Sequence, residues 1–218
     1  MHTVRLKGTS KTLRVGKIVC LARNYSEHIK ELGNAVPEKP VLFIKPASSI
    51  IGRHEAVVIP AFSQDCQHEV ELAVLIGKWG KNISAKEALN HVAGYGVALD
   101  MTLRDVQNEL KQKGLPWEIA KGFDTACPLS DFVPAAEVGD PHNLRITLKV
   151  NEQLRQDGNT AQMMLRIPEI IRAVSEIFTL EEGDVILTGT PSGVGAVKSG
   201  DRMLAEIEKV GCLETPVQ

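Results

Sequence analysis

No stretch of the 218-residue chain approaches the roughly 18 consecutive apolar residues of a membrane-spanning helix. A membrane-embedded protein is therefore not expected. The N-terminal MHTVRLKGTSKTLRVGK is basic but has no apolar core, so it does not read as a secretory signal. The expectation is a cytoplasmic protein, with an organellar leader ahead of this sequence left open. An excess of charge of one sign is also missing. The 25 basic and 27 acidic residues give a formal charge of -2, and no basic footprint for nucleic acid stands out. The four cysteines, Cys20, Cys66, Cys127 and Cys212, form no C-x-x-C pair. Their wide spacing carries no zinc signature, and buried free thiols are expected. No G-x-G-x-x-G opens a helix after a strand, and GTPSGVG (189–195) lacks the lysine of a phosphate loop. A nucleotide-binding reading is therefore weak, and no repeat or low-complexity run divides the chain.

What remains is ordinary globular material, 43% apolar and 24% charged, of a length that fits one domain. One domain over 1–218 is expected, with a small N-terminal segment at about 1–15 and a lid at about 22–37. Strands are expected at 15–21, from Glu69 through HEVELAVLIG, at 92–100, at 144–150, in VILTG and at 202–210. Asn24 to Leu32 has helical spacing with Asn24 as a candidate N-cap, and Gly33 as a stop. Ser84 to His91 carries the capping-box spacing of Ser84 and Glu87 and reads as a helix. Leu103 to Gln112 and Arg166 to Phe178 read as further helices, the latter tolerating Pro168 near its start. Strands outnumber helices and do not alternate regularly with them, which suits a mixed, mostly β fold with peripheral helices.

Glu69 and Glu71 are two apart on an expected strand, so they share a face while Val70 points away. Two carboxylates so close repel unless a cation compensates, and hard divalent ions prefer oxygen ligands. The pair enters an apolar run, AVLIG, and Asp100 ends another, GVALD. Read alone, E-x-E also fits a solvated strand face, and Asp100 fits a turn or cap. His28 and Glu31, three apart on a helix, can orient an imidazole as a base or form a plain surface pair. Lys45 and Lys121 lie among apolar neighbours, where a lysine can meet an anion or simply extend to solvent. The Gly189–Thr190 loop offers amides and hydroxyls to a carboxylate, or is a tight turn.

These segments occur together in a pattern that resembles the fumarylacetoacetate hydrolase family. ARNYSEHIKE (22–31), VLFIKP (41–46), HEVELAVLIG (68–77), GYGVALDMTLRDVQ (94–107), KGLPWEIAKGFDTACPLS (113–130), VNEQLRQDGNTAQM (150–163) and LTGTPSGVG (187–195) carry the resemblance over almost the whole chain. It is closest to the short single-domain branch of acylpyruvases, oxaloacetate decarboxylases and oxaloacetate tautomerases. The resemblance implies a fumarylacetoacetase C-terminal-domain-like fold, a rolled mixed β-sheet with peripheral helices. It implies Mg²⁺ or Mn²⁺ on Glu69, Glu71 and Asp100. His28, Glu31 and Lys121 would be catalytic, with His28 and Glu31 on the lid. Arg23, Lys45, Arg104, Gln107, Lys121, Gly189 and Thr190 would contact a small 2-oxo acid substrate, and the chain would form a homodimer. The activity expected first is hydrolysis of an acylpyruvate C–C bond through a pyruvate enolate stabilised by the cation. Oxaloacetate decarboxylation, oxaloacetate keto–enol tautomerisation, an isomerase or decarboxylase step of aromatic catabolism, and a non-enzymatic metal-stabilised binding protein are the alternatives.

Overall fold

The computed structural model describes residues 2–218. Its centre is a six-stranded sheet in the order Val133–Pro134, Val92–Leu99, Val70–Ile76, Val185–Leu187, Ile18–Ala22, Val41–Lys45. All neighbours are antiparallel except Val185–Leu187 and Ile18–Ala22, which run parallel. That one parallel pair makes the sheet mixed. Val70–Ile76 is buried along its whole length. Strand periodicity sends Leu72, Val74 and Ile76 into one apolar cluster and Ala73 and Leu75 into the other. The central strand therefore divides two packed layers, and a charge on it can persist only with partners.

A second, four-stranded antiparallel sheet has the order Gln153–Asn159, Arg145–Val150, Arg202–Ile207, Gly211–Pro216. Arg145–Val150 alternates, with Ile146, Leu148 and Val150 buried on one face. A three-stranded ribbon joins Gly195–Ala196, Cys66–His68 and Thr102–Leu103. The helix Ile167–Ile177 carries Pro168 in its first turn, where no backbone bond is lost. The helix Arg104–Lys113 ends on Gly114 at φ 64°, the left-handed closure that glycine supplies most easily. Near the N-terminus, Thr3–Arg5 and Thr12–Arg14 pair as a small antiparallel ribbon. No helix among the described residues is long and apolar enough to cross a membrane.

Three local expectations are corrected. Residues 84–91 do not form an α-helix. Glu87 N does donate to Ser84 Oγ at 3.3 Å, but only a 3₁₀ turn, Ala88–His91, follows. The reason is room: Gly77 N takes His91 O at 2.8 Å, and the next strand begins at Val92. Asn24 is not the cap of the Ser26–Glu31 helix, whose N-cap is Tyr25. Its amide spans two other segments, donating to Leu165 O at 3.0 Å and Thr188 O at 2.9 Å while accepting from Leu165 N at 2.7 Å. Residues 202–210 are not one strand, because the chain turns at Lys209 (φ 61°) and pairs back through Gly211–Pro216.

Candidate active site

One end of the six-stranded sheet gathers the polar residues that the sequence singled out. The register sets Val70 opposite Leu99 and Leu187 opposite both Ala73 and Cys20. The start of the Val70–Ile76 strand and the ends of three neighbours therefore lie at the same edge. Glu69 precedes that strand, Glu71 is on it, Asp100 follows Val92–Leu99, and Gly189 and Thr190 follow Val185–Leu187. Asp100 N donates to Glu69 O at 2.8 Å, so the antiparallel pairing itself brings the two acids together.

Glu69, Glu71 and Asp100 are all buried, and each offers an oxygen within 4.8 Å of the others. Three cationic side chains surround them. Lys121 Nζ donates to Glu69 Oε2 at 2.8 Å, Asp100 Oδ2 at 2.7 Å and Thr102 Oγ1 at 2.6 Å. Arg104 bonds Glu69 Oε1 with one guanidinium nitrogen and reaches Gln67 at 2.8 Å and Gln107 at 2.7 Å with the others. Lys45 Nζ lies 2.8 Å from Asp100 Oδ1. It also donates to the carbonyls of Met101, Lys121 and Ala126. Among the described residues Glu71 has only the Gly189 N–H, at 2.6 Å.

The electrostatics follow from these partners. Burial pushes Glu69 up, but Lys121 and Arg104 outweigh it and hold its carboxyl well below the usual range. For Glu71, burial and then the charges of Asp100 and Glu69 push the same way, and its pKa is raised well above the ordinary value. Burial would depress Lys121, yet Asp100 and Glu69 hold it raised, so the ammonium keeps its proton. Glu71 is thus a buried carboxyl lacking a cation, and Asp100 Oδ1 accepts no hydrogen bond of good geometry. Three converging oxygen donors with an unmet demand for positive charge fit a hard divalent ion.

Arg23, His28, Glu69, Glu71, Asp100 and Arg104 line a cleft above this edge, together with Gln107, Lys121, Gly189 and Thr190. The expected residues therefore converge, with two qualifications. Glu31 approaches the cleft only through His28, with its Oε2 3.1 Å from His28 Nδ1. Lys45 does not line the cleft; it is fully buried beneath Asp100 and ties three carbonyls there. The Thr190 hydroxyl is already engaged, donating to Val70 O at 2.8 Å and accepting from Gln156 Nε2 at 2.8 Å. Gly189 adopts φ 94° and lies so close to Asn24 that an added Cβ would stand 2.8 Å from the Asn24 Cβ.

Two site residues were not anticipated. Gln156 is fully buried. Its Oε1 lies 3.0 Å from His68 Nδ1 and accepts from Val70 N at 3.1 Å, while Nε2 holds Thr190 and Pro191 O. Lys111 lies on the same helix face as Arg104 and Gln107 and also lines the cleft. The three-, four- and seven-residue spacings could have flagged Lys111. Nothing local marks Gln156.

The mixed β fold thus carries, at one end of its central sheet, an acid triad with the donor set of a divalent-metal site, inside a cleft lined by cations. The chain matches the model of the fumarylacetoacetate (FAA) hydrolase C-terminal family over residues 17–218 and belongs to that family. It is 50% identical over 201 residues to the mitochondrial oxaloacetate tautomerase FAHD1 of Bos taurus, covering 92% of this chain and 91% of that one. It is 52% identical over 190 residues to the oxaloacetate tautomerase YcgM of Escherichia coli, covering 87% of each. Among solved structures, fumarylpyruvate hydrolase of Pseudomonas aeruginosa in complex with Mn²⁺ and pyruvate superposes with a TM-score of 0.95 at 37% identity. That match covers 99% of this chain and 94% of the other. The expected fold class is thereby borne out. The cytoplasmic expectation is not, since the FAHD1 relatives from cattle, rat, mouse and human are mitochondrial proteins.

Proposed function

We propose that the chain is a divalent-metal-dependent enzyme of small 2-oxo acids whose principal reaction is keto–enol tautomerisation of oxaloacetate. The observation that carries the enzyme reading is the buried acid triad, facing a cleft that His28 also lines. The choice of reaction rests on the oxaloacetate tautomerases of mammals and E. coli at 49–52% identity over most of the chain. The acylpyruvate hydrolysis expected first becomes the second reading, supported by the likeness to fumarylpyruvate hydrolase at 37% identity.

Glu69, Glu71 and Asp100 would hold Mg²⁺ or Mn²⁺. Such an ion supplies Lewis acidity that lowers the cost of negative charge on a 2-keto oxygen. The remaining chemistry belongs to side chains. In tautomerisation a proton leaves the enol oxygen and another arrives at C3, with no bond between heavy atoms broken. His28 is the group suited to the C3 transfer, because Glu31 holds Nδ1 and leaves Nε2 for the cleft. The protonated Lys121 presents positive charge to the reacting oxygen. Arg104 and Gln107 brace the cleft wall, and Gly189 keeps Glu71 turned inward. The short helix Ser26–Glu31 and the residues after it act as a lid that brings His28 over the substrate and excludes water.

The test is to give the Mg²⁺-loaded protein keto and enol oxaloacetate separately, following loss of the tautomer apart from formation of pyruvate. Metal-only rates are subtracted. Tautomer exchange well above the metal-only rate is the expected result. No acceleration, combined with turnover of acetylpyruvate, would replace this reaction with hydrolysis; turnover of neither would end the enzyme reading.

A further inference from the structure

The cations of the cleft are not all accounted for by its acids. Lys121 pairs with Glu69 and Asp100, Arg104 with Glu69, and Lys45 with Asp100 from beneath the cleft. Arg23 and Lys111 also line the cleft, and neither has a carboxylate within ion-pair distance among the described residues. Instead both donate to one neutral oxygen: Arg23 Nη2 and Lys111 Nζ each lie 3.2 Å from Asn34 Oδ1. Two cations converging on a single amide oxygen repel each other. Burial and then the charges of Arg23 and Arg104 hold the Lys111 pKa below its ordinary value. Such a pair is satisfied by an incoming anion.

Placement says which anion. Arg104, Gln107 and Lys111 share one face of the helix Arg104–Lys113. Arg104 touches Glu69 at the acid triad. Lys111 stands two turns further along, about 10 Å of helix axis away. At that end it meets Asn34, which follows the lid helix and donates its N–H to Ile29 O. The cleft thus has an acid, metal-holding end and a separate cationic end, joined by one helix face.

Resting on the 2-oxo acid reading above, we propose that Arg23 and Lys111 form a second anion subsite that takes the distal carboxylate of a 2-oxo dicarboxylic acid. The subsite selects dicarboxylates over 2-oxo acids with an uncharged tail. It also bears on which reaction occurs. Decarboxylation of oxaloacetate breaks the C3–C4 bond, leaves its electron pair on C3 and releases C4 as neutral CO₂. A carboxylate clamped by two cations is stabilised before that bond breaks and loses the stabilisation as CO₂ forms. Ground-state binding of this kind slows the step. Tautomerisation keeps the distal carboxylate charged throughout and is not penalised.

The test compares two ligands that cannot enolise, 3,3-difluorooxaloacetate and 3,3-difluoro-2-oxobutanoate, which differ only in the distal carboxylate. Their affinities for the Mg²⁺-loaded protein are measured by calorimetry, for the native chain and for Arg23→Gln and Lys111→Met. The expected result is a preference of about tenfold or more for the dicarboxylate in the native chain, falling towards unity in both variants. A native chain with no preference, or variants that keep it, would overturn the subsite while leaving the 2-oxo acid reading intact. Binding of neither ligand would overturn that reading and the subsite with it. With oxaloacetate, Lys111→Met should raise the ratio of pyruvate formed to tautomer exchanged several-fold. An unchanged ratio in a variant that has lost the affinity preference would overturn the effect on decarboxylation.

Discussion

His28 Nδ1 lies 3.1 Å from Glu31 Oε2, and the other oxygen of Glu31 accepts from the Gly193 N–H at 2.9 Å. His28 is therefore tied through Glu31 to the glycine-rich loop that carries Gly189 and Thr190. His28→Ala should lower oxaloacetate tautomerisation by about 10²- to 10⁴-fold, with Mn²⁺ affinity by calorimetry close to native. Glu31→Gln keeps the shape but loses the charge that orients the ring, and should fall between the native chain and His28→Ala. Tautomerisation at the native rate in His28→Ala would remove His28 from the reaction.

Asp100 and Glu71 should respond differently to neutralisation. Asp100→Asn leaves Lys45 and Lys121 facing a neutral amide. Stranding buried charge in this way should cost about 3–5 kcal/mol and lower the melting temperature of the metal-free protein. Glu71→Gln removes a charge that burial and its neighbours already disfavour. It should leave the metal-free melting temperature equal or higher. Both variants should bind Mn²⁺ at least about tenfold more weakly. Thermal melts in chelator and calorimetric titration with Mn²⁺ separate the two effects; native affinity in both variants would exclude these acids as ligands.

The thiols give a pH prediction. Burial pushes Cys66 and Cys127 up to about 12, and Cys20 is raised well above its ordinary value for the same first reason. In the unfolded chain these groups ionise near pH 9, so above that pH the unfolded state holds fewer protons than the folded one. Their contribution to stability is complete below about pH 9 and is lost as pH rises towards 12. The melting temperature should fall across that window. At pH 8 only Cys212, half-buried rather than buried, should react promptly with a disulfide reagent, and all four should react after denaturation. Rapid labelling of more than one thiol in the native protein would contradict this burial.

Gln156→Leu fills similar space but cannot serve His68, Val70 N, Thr190 or Pro191 O. Leaving buried donors and acceptors unpaired should cost about 2–4 kcal/mol, seen as a lower denaturation midpoint. Because Thr190 loses a partner, the apparent KM for oxaloacetate should rise more than kcat falls. A variant as stable as the native chain would show that the Gln156 bonds contribute little.

The residues that proved legible are those whose meaning is local or shared by a recurring pattern. Period two alone paired Glu69 with Glu71, although the strand itself begins only at Val70, and Ile167–Ile177 followed from its helical spacing and Pro168. The convergence of Asp100 on that pair was carried by the family resemblance, because the Val70–Leu99 register is a tertiary fact. Gln156 is 86 residues from Val70 and 34 from Thr190, so its bonds have no trace in any short window. Asn24 had a sound local reading as a cap, but joining Leu165 to Thr188 prevailed. Ser84 shows the same limit from the other side: its capping contact forms, yet the adjoining strands leave no length for a helix. The hairpin after Arg202–Ile207 turns on Lys209 in a left-handed conformation, which residue type does not announce.

Lys45, Lys121 and Arg104 fix Glu69 and Asp100 through ion pairs, and the Gly189 N–H holds Glu71, before any divalent ion arrives. On the proposed reading the receptacle would be assembled by folding rather than by metallation, and a chelator would empty it without melting it. Loading would then be a reversible exchange between the protein and its surroundings. Catalytic output would track the free Mg²⁺ or Mn²⁺ of the compartment like a rheostat, with no refolding delay when the ion returns.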